Sequence, residues 1–227
     1  MVLAGKVFII KEEADLPTIS GKLKGYRSED EFAYGDQTVP LVTEITGLSL
    51  SPDTLQGTFS HDVAFEVRHR DGSRLVTKTL EAPFLFAKYG ERVYLIVLEK
   101  KAMANSIANK MSKILFIATG SIAEAKIDPK TLKSFHEQNP EDTKVMFFDG
   151  VDIPNINKLS LYGSGLADTS LYNEYSSRGS IWYMVFKSRR YGIVVGVTRS
   201  AVVTAFSKVK EEEFLSYIRD EVFPLIS

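Results

Sequence analysis

The residues best suited to chemistry lie between Glu174 and Glu211, an interval without a single carboxylate that carries Arg178, Lys187, Arg189, Arg190, Arg199, Lys208 and Lys210. Tyr175, Trp182, Tyr183, Phe186, Tyr191 and Phe206 are interleaved with them. Guanidinium and ammonium groups grip phosphate, and flat rings give unpaired bases a stacking surface. The combination therefore points to nucleic acid or another polyanion. The foremost contacts are Arg189, Arg190 and Tyr191, which fall in an expected hairpin turn, together with Arg178, Lys187 and Arg199. Against this stands a structural account: strands destined for a core lose their charges anyway.

Other constellations carry less. The chain has no cysteine, which excludes disulfides, thiolate metal sites and thiol nucleophiles. His61 and His69 fall on one strand face but about 26 Å apart at 3.3 Å per residue, too far to share an ion. His136 sits in a polar helix end and reads as solvated. Gly163-Ser164-Gly165 lacks the third glycine and the βαβ setting of a dinucleotide turn, and Gly21-Lys22-Leu23-Lys24-Gly25 lacks the ending of a phosphate loop. No nucleophile elbow or paired-carboxylate motif is present, so the reading favours a binding protein over an enzyme, whose site would have to be assembled from residues remote in sequence, and expects no metal or organic cofactor.

At 227 residues, 44% hydrophobic and 25% charged, the chain has the composition of a folded protein of one large or two small domains. The net charge of −1 makes any basic site local. Absent cysteine favours a cytoplasmic setting, and with only three glutamines it hints at a hot habitat. The longest apolar run, Val93 to Leu98, stops at Glu99, well short of a membrane span.

These residues need elements to hold them. Lys6 to Ile10 is a short β-rich run, and 11–36 reads as loop with a helical turn near Ser28 to Phe32. Val39 to Leu50 reads as a strand pair interrupted at Gly47. Val63 to His69 alternates, with Val63, Phe65 and Val67 on one face, and a turn at Asp71-Gly72 leads into Leu75 to Leu80. Pro83 marks a break before Phe84 to Ala87, and Arg92 to Leu98 is a central strand. Met103, Ile107, Met111 and Ile114 share one helical face over 99–115. In the second half, Ile122 to Ile127 is a strand, Asp128-Pro129 starts a helix, and Lys144 to Phe148 and Lys158 to Tyr162 are strands. Ala167 to Tyr175 is open between helix and loop. Ile181 to Lys187, Ile193 to Thr198 and Ala201 to Ser207 form a meander, and Glu211 to Glu213 open a final helix that Pro224 ends or bends. Along Ile181 to Lys187, strict alternation puts Trp182, Met184 and Phe186 on one face and Ile181, Tyr183 and Val185 on the other.

The expected fold is α+β, with residues 1–117 and 118–227 as two similar halves, each an antiparallel meander followed by one amphipathic helix. Laying Leu48-Ser49-Leu50 on Leu159-Ser160-Leu161 keeps later strands and helices in step, as an internal repeat would. That element order resembles the tandem architecture of the TATA-box-binding-protein fold, without that family's paired phenylalanine wedges. A single meander and helix also resembles pleckstrin-homology-like and helix-grip domains. Three functions fit: polyanion binding through the second-half sheet, assembly with a second copy or protein partner, or small-ligand binding or catalysis in a pocket between sheet and terminal helix.

Overall fold

The computed structural model describes residues 2–35, 37–138, 142–166 and 169–227. They form an α+β structure of antiparallel sheet with five α-helices, divided into two units. One comprises Ile10–Leu98 and Ser106–Ile122; the other comprises Met1–Ile9, Glu99–Asn105 and Ala123–Ser227. The chain opens with β1 (Leu3–Ile10), which belongs mainly to the second unit.

In the first unit, helix α1 (Leu16–Leu23) and strand β2 (Arg27–Tyr34) occupy the stretch expected to be loop. The Asp15 carboxylate accepts the Thr18 N–H at 2.8 Å and Pro17 fits the first turn, so α1 is fixed by its cap. Its eight residues bury only Leu16, Ile19 and Leu23, too few to stand out as a periodic signal. β2 reads as polar because it has only one strand neighbour and no cover, yet it pairs with β3 from Arg27–Glu44 to Tyr34–Gln37.

The strands that follow are longer than their sequence breaks suggest: β3 (Gln37–Leu50), β4 (Thr54–His69), β5 (Gly72–Tyr89) and β6 (Arg92–Val97), adjacent in that order. Pro83 does not interrupt β5. Its carbonyl accepts the Leu98 N–H, so its ring nitrogen also faces the side away from β4, and the one bond it cannot donate falls beside the end of β6 while the β4 ladder is intact. Gly47 lies at an irregularity in the β3–β4 register, which β3 passes through. Helix α2 (Lys101–Phe116) buries Ala104, Ile107, Ala108, Met111 and Leu115, a stripe one residue away from that centred on Met103.

Leu55, Phe59, His61, Ile45 and Thr43 form one buried face of β3 and β4. By register that face continues outward through Val63, Phe65 and Val67, yet there the burial ends and Phe65 is 44% exposed. The β3–β4 ladder stops at Thr43–His61; the next N–H, on Val42, is taken at 3.0 Å by the Asp62 carboxylate, which also accepts Thr79 Oγ1 at 2.6 Å. Beyond that point the β2–β3 and β4–β5 hairpins run on as two prongs.

In the second unit, the strand order is β1-β12-β11-β10-β8-β9, from β8 (Thr143–Ile153), β9 (Ile156–Tyr162), β10 (Ser180–Lys187), β11 (Val194–Thr198) and β12 (Val202–Ala205). A short β7 (Ile122–Glu124) pairs with β1. Helix α3 (Pro129–Gln138) starts where Asp128 accepts the Lys130 N–H at 2.7 Å, and it packs on β10. Helix α4 (Ser170–Arg178) resolves most of the ambiguous stretch and packs on β8; Ala167 and Asp168 lie outside the described residues. Glu211, Glu212 and Glu213 form the first turn of α5 (Glu211–Tyr217), which passes into a π-helical turn, Ile218–Val222, and a 3₁₀ turn containing Pro224. The second sheet thus takes in β1 from the start of the chain, a step absent from the expected halves. No helix among the described residues is long and apolar enough to cross a membrane.

Candidate functional site

The decisive local feature is a bulge in β10. Ile181 pairs with Phe148 of β8, but Tyr183 pairs with Phe147, leaving Trp182 as the extra residue. A bulge sets two side chains against one, so the expected alternation fails: Trp182 leaves the face of Met184 and Phe186 and joins Tyr183. Phe147 lies 5.6 Å from Trp182 and 5.4 Å from Tyr183 between ring centroids, and the latter two are 5.7 Å apart at 33°. Tyr162 of β9 adds a fourth ring 5.9 Å from Phe147 and is 68% exposed. Met184 and Phe186, by contrast, are buried, with Phe135 of α3 stacked 4.8 Å from Phe186. One face of this sheet is core, and the other presents four half-exposed or exposed rings.

The rings are fixed from beneath. Gly196 of β11 lies under Tyr183, where a Cβ would stand only 2.8 Å from Cε2 of the ring. Burial pushes the Tyr183 hydroxyl pKa up, with Tyr162 adding to the effect, so the phenol stays neutral at physiological pH. The Trp182 indole N–H is buried and has no acceptor among the described residues.

Cations border this face. Lys158 Nζ sits 5.2 Å from the Trp182 ring centre, a cation–π distance. Arg199 donates to Asp149 at 2.6 Å and, with Lys101, Ser200 and Trp182, lines a cavity of 340 Å³. Arg199 and Ser200 also line an adjoining 430 Å³ depression that includes Lys126, and Pro129 connects that one to a further cleft bearing Lys130 and Lys133. Glu124, in the middle depression, is engaged by Lys6 at 2.9 Å and by Asn105 at 2.9 Å. Burial disfavours its ionised form, but the Lys6 contact outweighs this and holds its pKa below the usual range. For Lys6, fully enclosed, burial wins instead and lowers the pKa. Neither is a free charge.

The residues singled out from sequence are divided between two ends of β10. Arg178 and Arg199 lie where the strand begins; Lys187, Arg189, Arg190 and Tyr191 lie where it ends, about 20 Å away at 3.3 Å per residue. At the far end the arginines are occupied: Arg189 pairs with Asp142, and Arg190 contacts Asp220 at 2.7 Å, where the Tyr191 hydroxyl also donates at 2.8 Å. Arg178 reaches Glu174 at 3.7 Å. The acid-free interval is a fact of sequence only, because strand pairing and the terminal helix supply carboxylates from outside it. Beside these pairs a 290 Å³ pocket opens between Phe135, Phe186 and the Pro224-Leu225 turn, its edge formed by Glu221, whose pKa burial pushes up.

His136 is a correction. It is fully buried, bonded through Nδ1 to Thr143 Oγ1 at 2.8 Å and packed 4.8 Å from Tyr172, because α3 turns it inward. Burial lowers its pKa and pushes that of Tyr172 up to about 12. Lys158 and Lys101 were not legible as site residues: one lies outside the acid-free interval and the other is in the first half of the sequence. Only the pairing of aromatic residues with a β-rich run gave any signal for the ring face. No protein-family model matches this sequence, and no curated protein matches it either.

Proposed function

We propose that this protein binds single-stranded nucleic acid on the ring face of the second unit. The observation that carries the proposal is the bulge at Trp182, which gathers Trp182, Tyr183, Phe147 and Tyr162 on one face with Lys158 at its border. Exposed aromatic rings on a sheet accept successive bases by stacking at about 1–3 kcal/mol each, while flanking cations follow the backbone phosphates. Trp182, Tyr183 and Tyr162 take bases; Lys158 and Lys101 take phosphates, with Lys126, Lys130 and Lys133 extending the track, while Arg199 is held by Asp149 at 2.6 Å. The Arg189-Arg190-Tyr191 turn has a lesser part, since each guanidinium there already faces a carboxylate. Arg178 and Lys187 add long-range attraction only. Nothing in this reading requires a tandem duplication of TATA-box-binding-protein type.

The chain has one tryptophan, so its fluorescence reports the site directly. Titration with oligo-dT and oligo-U should quench it, a matching duplex should do so far more weakly, and the two primary phosphate contacts, Lys158 and Lys101, give a salt slope of about −1.4 (about −0.7 per contact). Absence of quenching at low salt, or equal affinity for duplex, would overturn the proposal.

A further inference from the structure

The two prongs of the first unit carry an apolar face that no described residue covers. Register places Phe32, Val39 and Leu41 of the β2–β3 prong on the same side as Val63, Phe65 and Val76 of the β4–β5 prong. This side continues the buried face of Phe59 and Ile45, yet Phe32 is 38% exposed and Phe65 44%. Its two margins carry opposite charge. At the β2 margin Asp30, opposite Leu41, is on this face; at the β5 margin Arg74 and Lys78, opposite Val67 and Val63, are on it too. All three are exposed.

We infer that this face binds a second copy of the chain, face to face, about a two-fold axis parallel to the strands. Such a rotation reverses left and right, so the β2 margin of each copy lies over the β5 margin of the other. It joins apolar centre to apolar centre and sets Asp30 level with Lys78 twice, with Arg74 four residues further along the same margin adding to its positive charge, the arrangement of a closed isologous contact with a polar rim. An axis perpendicular to the strands in the plane of the contact would instead set margins of like charge together. Four strands spaced about 4.8 Å apart over roughly eight residues span on the order of 500 Å² per copy before side-chain relief, below the ~800 Å² per partner of a standard interface. The dimer is therefore a reversible one. It shares no residue with the ring face and stands or falls independently of nucleic-acid binding.

The test is sedimentation velocity and light scattering of the full chain from 1 to 200 µM. The expected result is a monomer–dimer equilibrium, with Phe65→Ser shifting the midpoint at least tenfold higher. Asp30→Lys should abolish the dimer, as should Arg74→Asp with Lys78→Asp, because each creates two repulsive margins. Mixing these two variants restores attraction at both margins and should give a heterodimer. Circular dichroism checks that each variant is folded, and the mixture, which contains the same two chains, guards against misfolding as a cause. A monomer throughout, mass growing past the dimer, or charge-reversed variants that still self-associate would each overturn the inference.

Discussion

Replacing Gly196 with alanine tests the ring face without touching any group that would contact a ligand. The new Cβ would meet the Tyr183 hydroxyl first, and would stand 2.8 Å from Cε2 and 2.9 Å from Cζ, where carbon atoms relax at about 3.5–4.0 Å. The Tyr183 ring must therefore retreat by about 1 Å or tilt off the sheet. Overpacking in a closed core costs about 1–3 kcal/mol. Tyr183 is only half-buried and can move outward, so the expected loss of stability is near the lower figure, about 1 kcal/mol. Displacing the ring from its place beside Trp182 and Phe147 removes one stacking surface, which should weaken oligonucleotide binding by about 5- to 150-fold, the equivalent of ~1–3 kcal/mol. Urea unfolding and Trp182 quenching measure the two effects. The cycle with Tyr183→Ala isolates the cause: without the ring there is no clash, and Gly196→Ala should become neutral or slightly stabilising, since alanine costs less chain entropy than glycine in a strand. An equal stability loss in both backgrounds would show that Tyr183 does not lie on Gly196. Unchanged binding in Gly196→Ala would remove the ring face as the site.

Arg189→Ala with Arg190→Ala should change oligonucleotide affinity by no more than about twofold, because their exposed pairs with Asp142 and Asp220 already offset them, whereas Lys158→Ala should reduce both affinity and the magnitude of the salt slope. Glu124→Ala should destabilise the fold by about 2 kcal/mol in urea unfolding, since it strips the fully enclosed Lys6 ammonium of its counter-charge; Glu124 is itself 41% exposed, which keeps the loss below that of a wholly buried pair. Lys6→Met should cost less than Glu124→Ala. His136 has its folded-state pKa lowered by burial, so the unfolded chain binds the proton more tightly. Its contribution is present above the ordinary histidine pKa and is lost as pH falls from there toward the folded value. The melting temperature should accordingly fall between about pH 7 and pH 5, and His136→Gln should flatten that part of the profile.

Much of the secondary structure was legible because its causes are local. The helical face around Ile107 and Met111, the Asp128-Pro129 start, the three glutamates opening α5 and the existence of the three closely spaced terminal strands depend on neighbours within a turn or a pleat. The segment 11–36 was misread for the same reason: α1 has a cap and only three buried residues, Leu16, Ile19 and Leu23, and β2 is held by a partner strand with no apolar alternation of its own. The chain by itself determined an α+β fold with antiparallel strands, a local concentration of rings and cations, and no charge excess to advertise a partner. Only tertiary structure decided which of those groups are free. Whether Trp182 faces core or solvent hangs on one extra residue opposite Phe147, and whether an arginine is available hangs on carboxylates about 30 to 50 positions away. Strand register and long-range charge pairing are set by the summed fit of distant residues, and no spacing within a single strand encodes them.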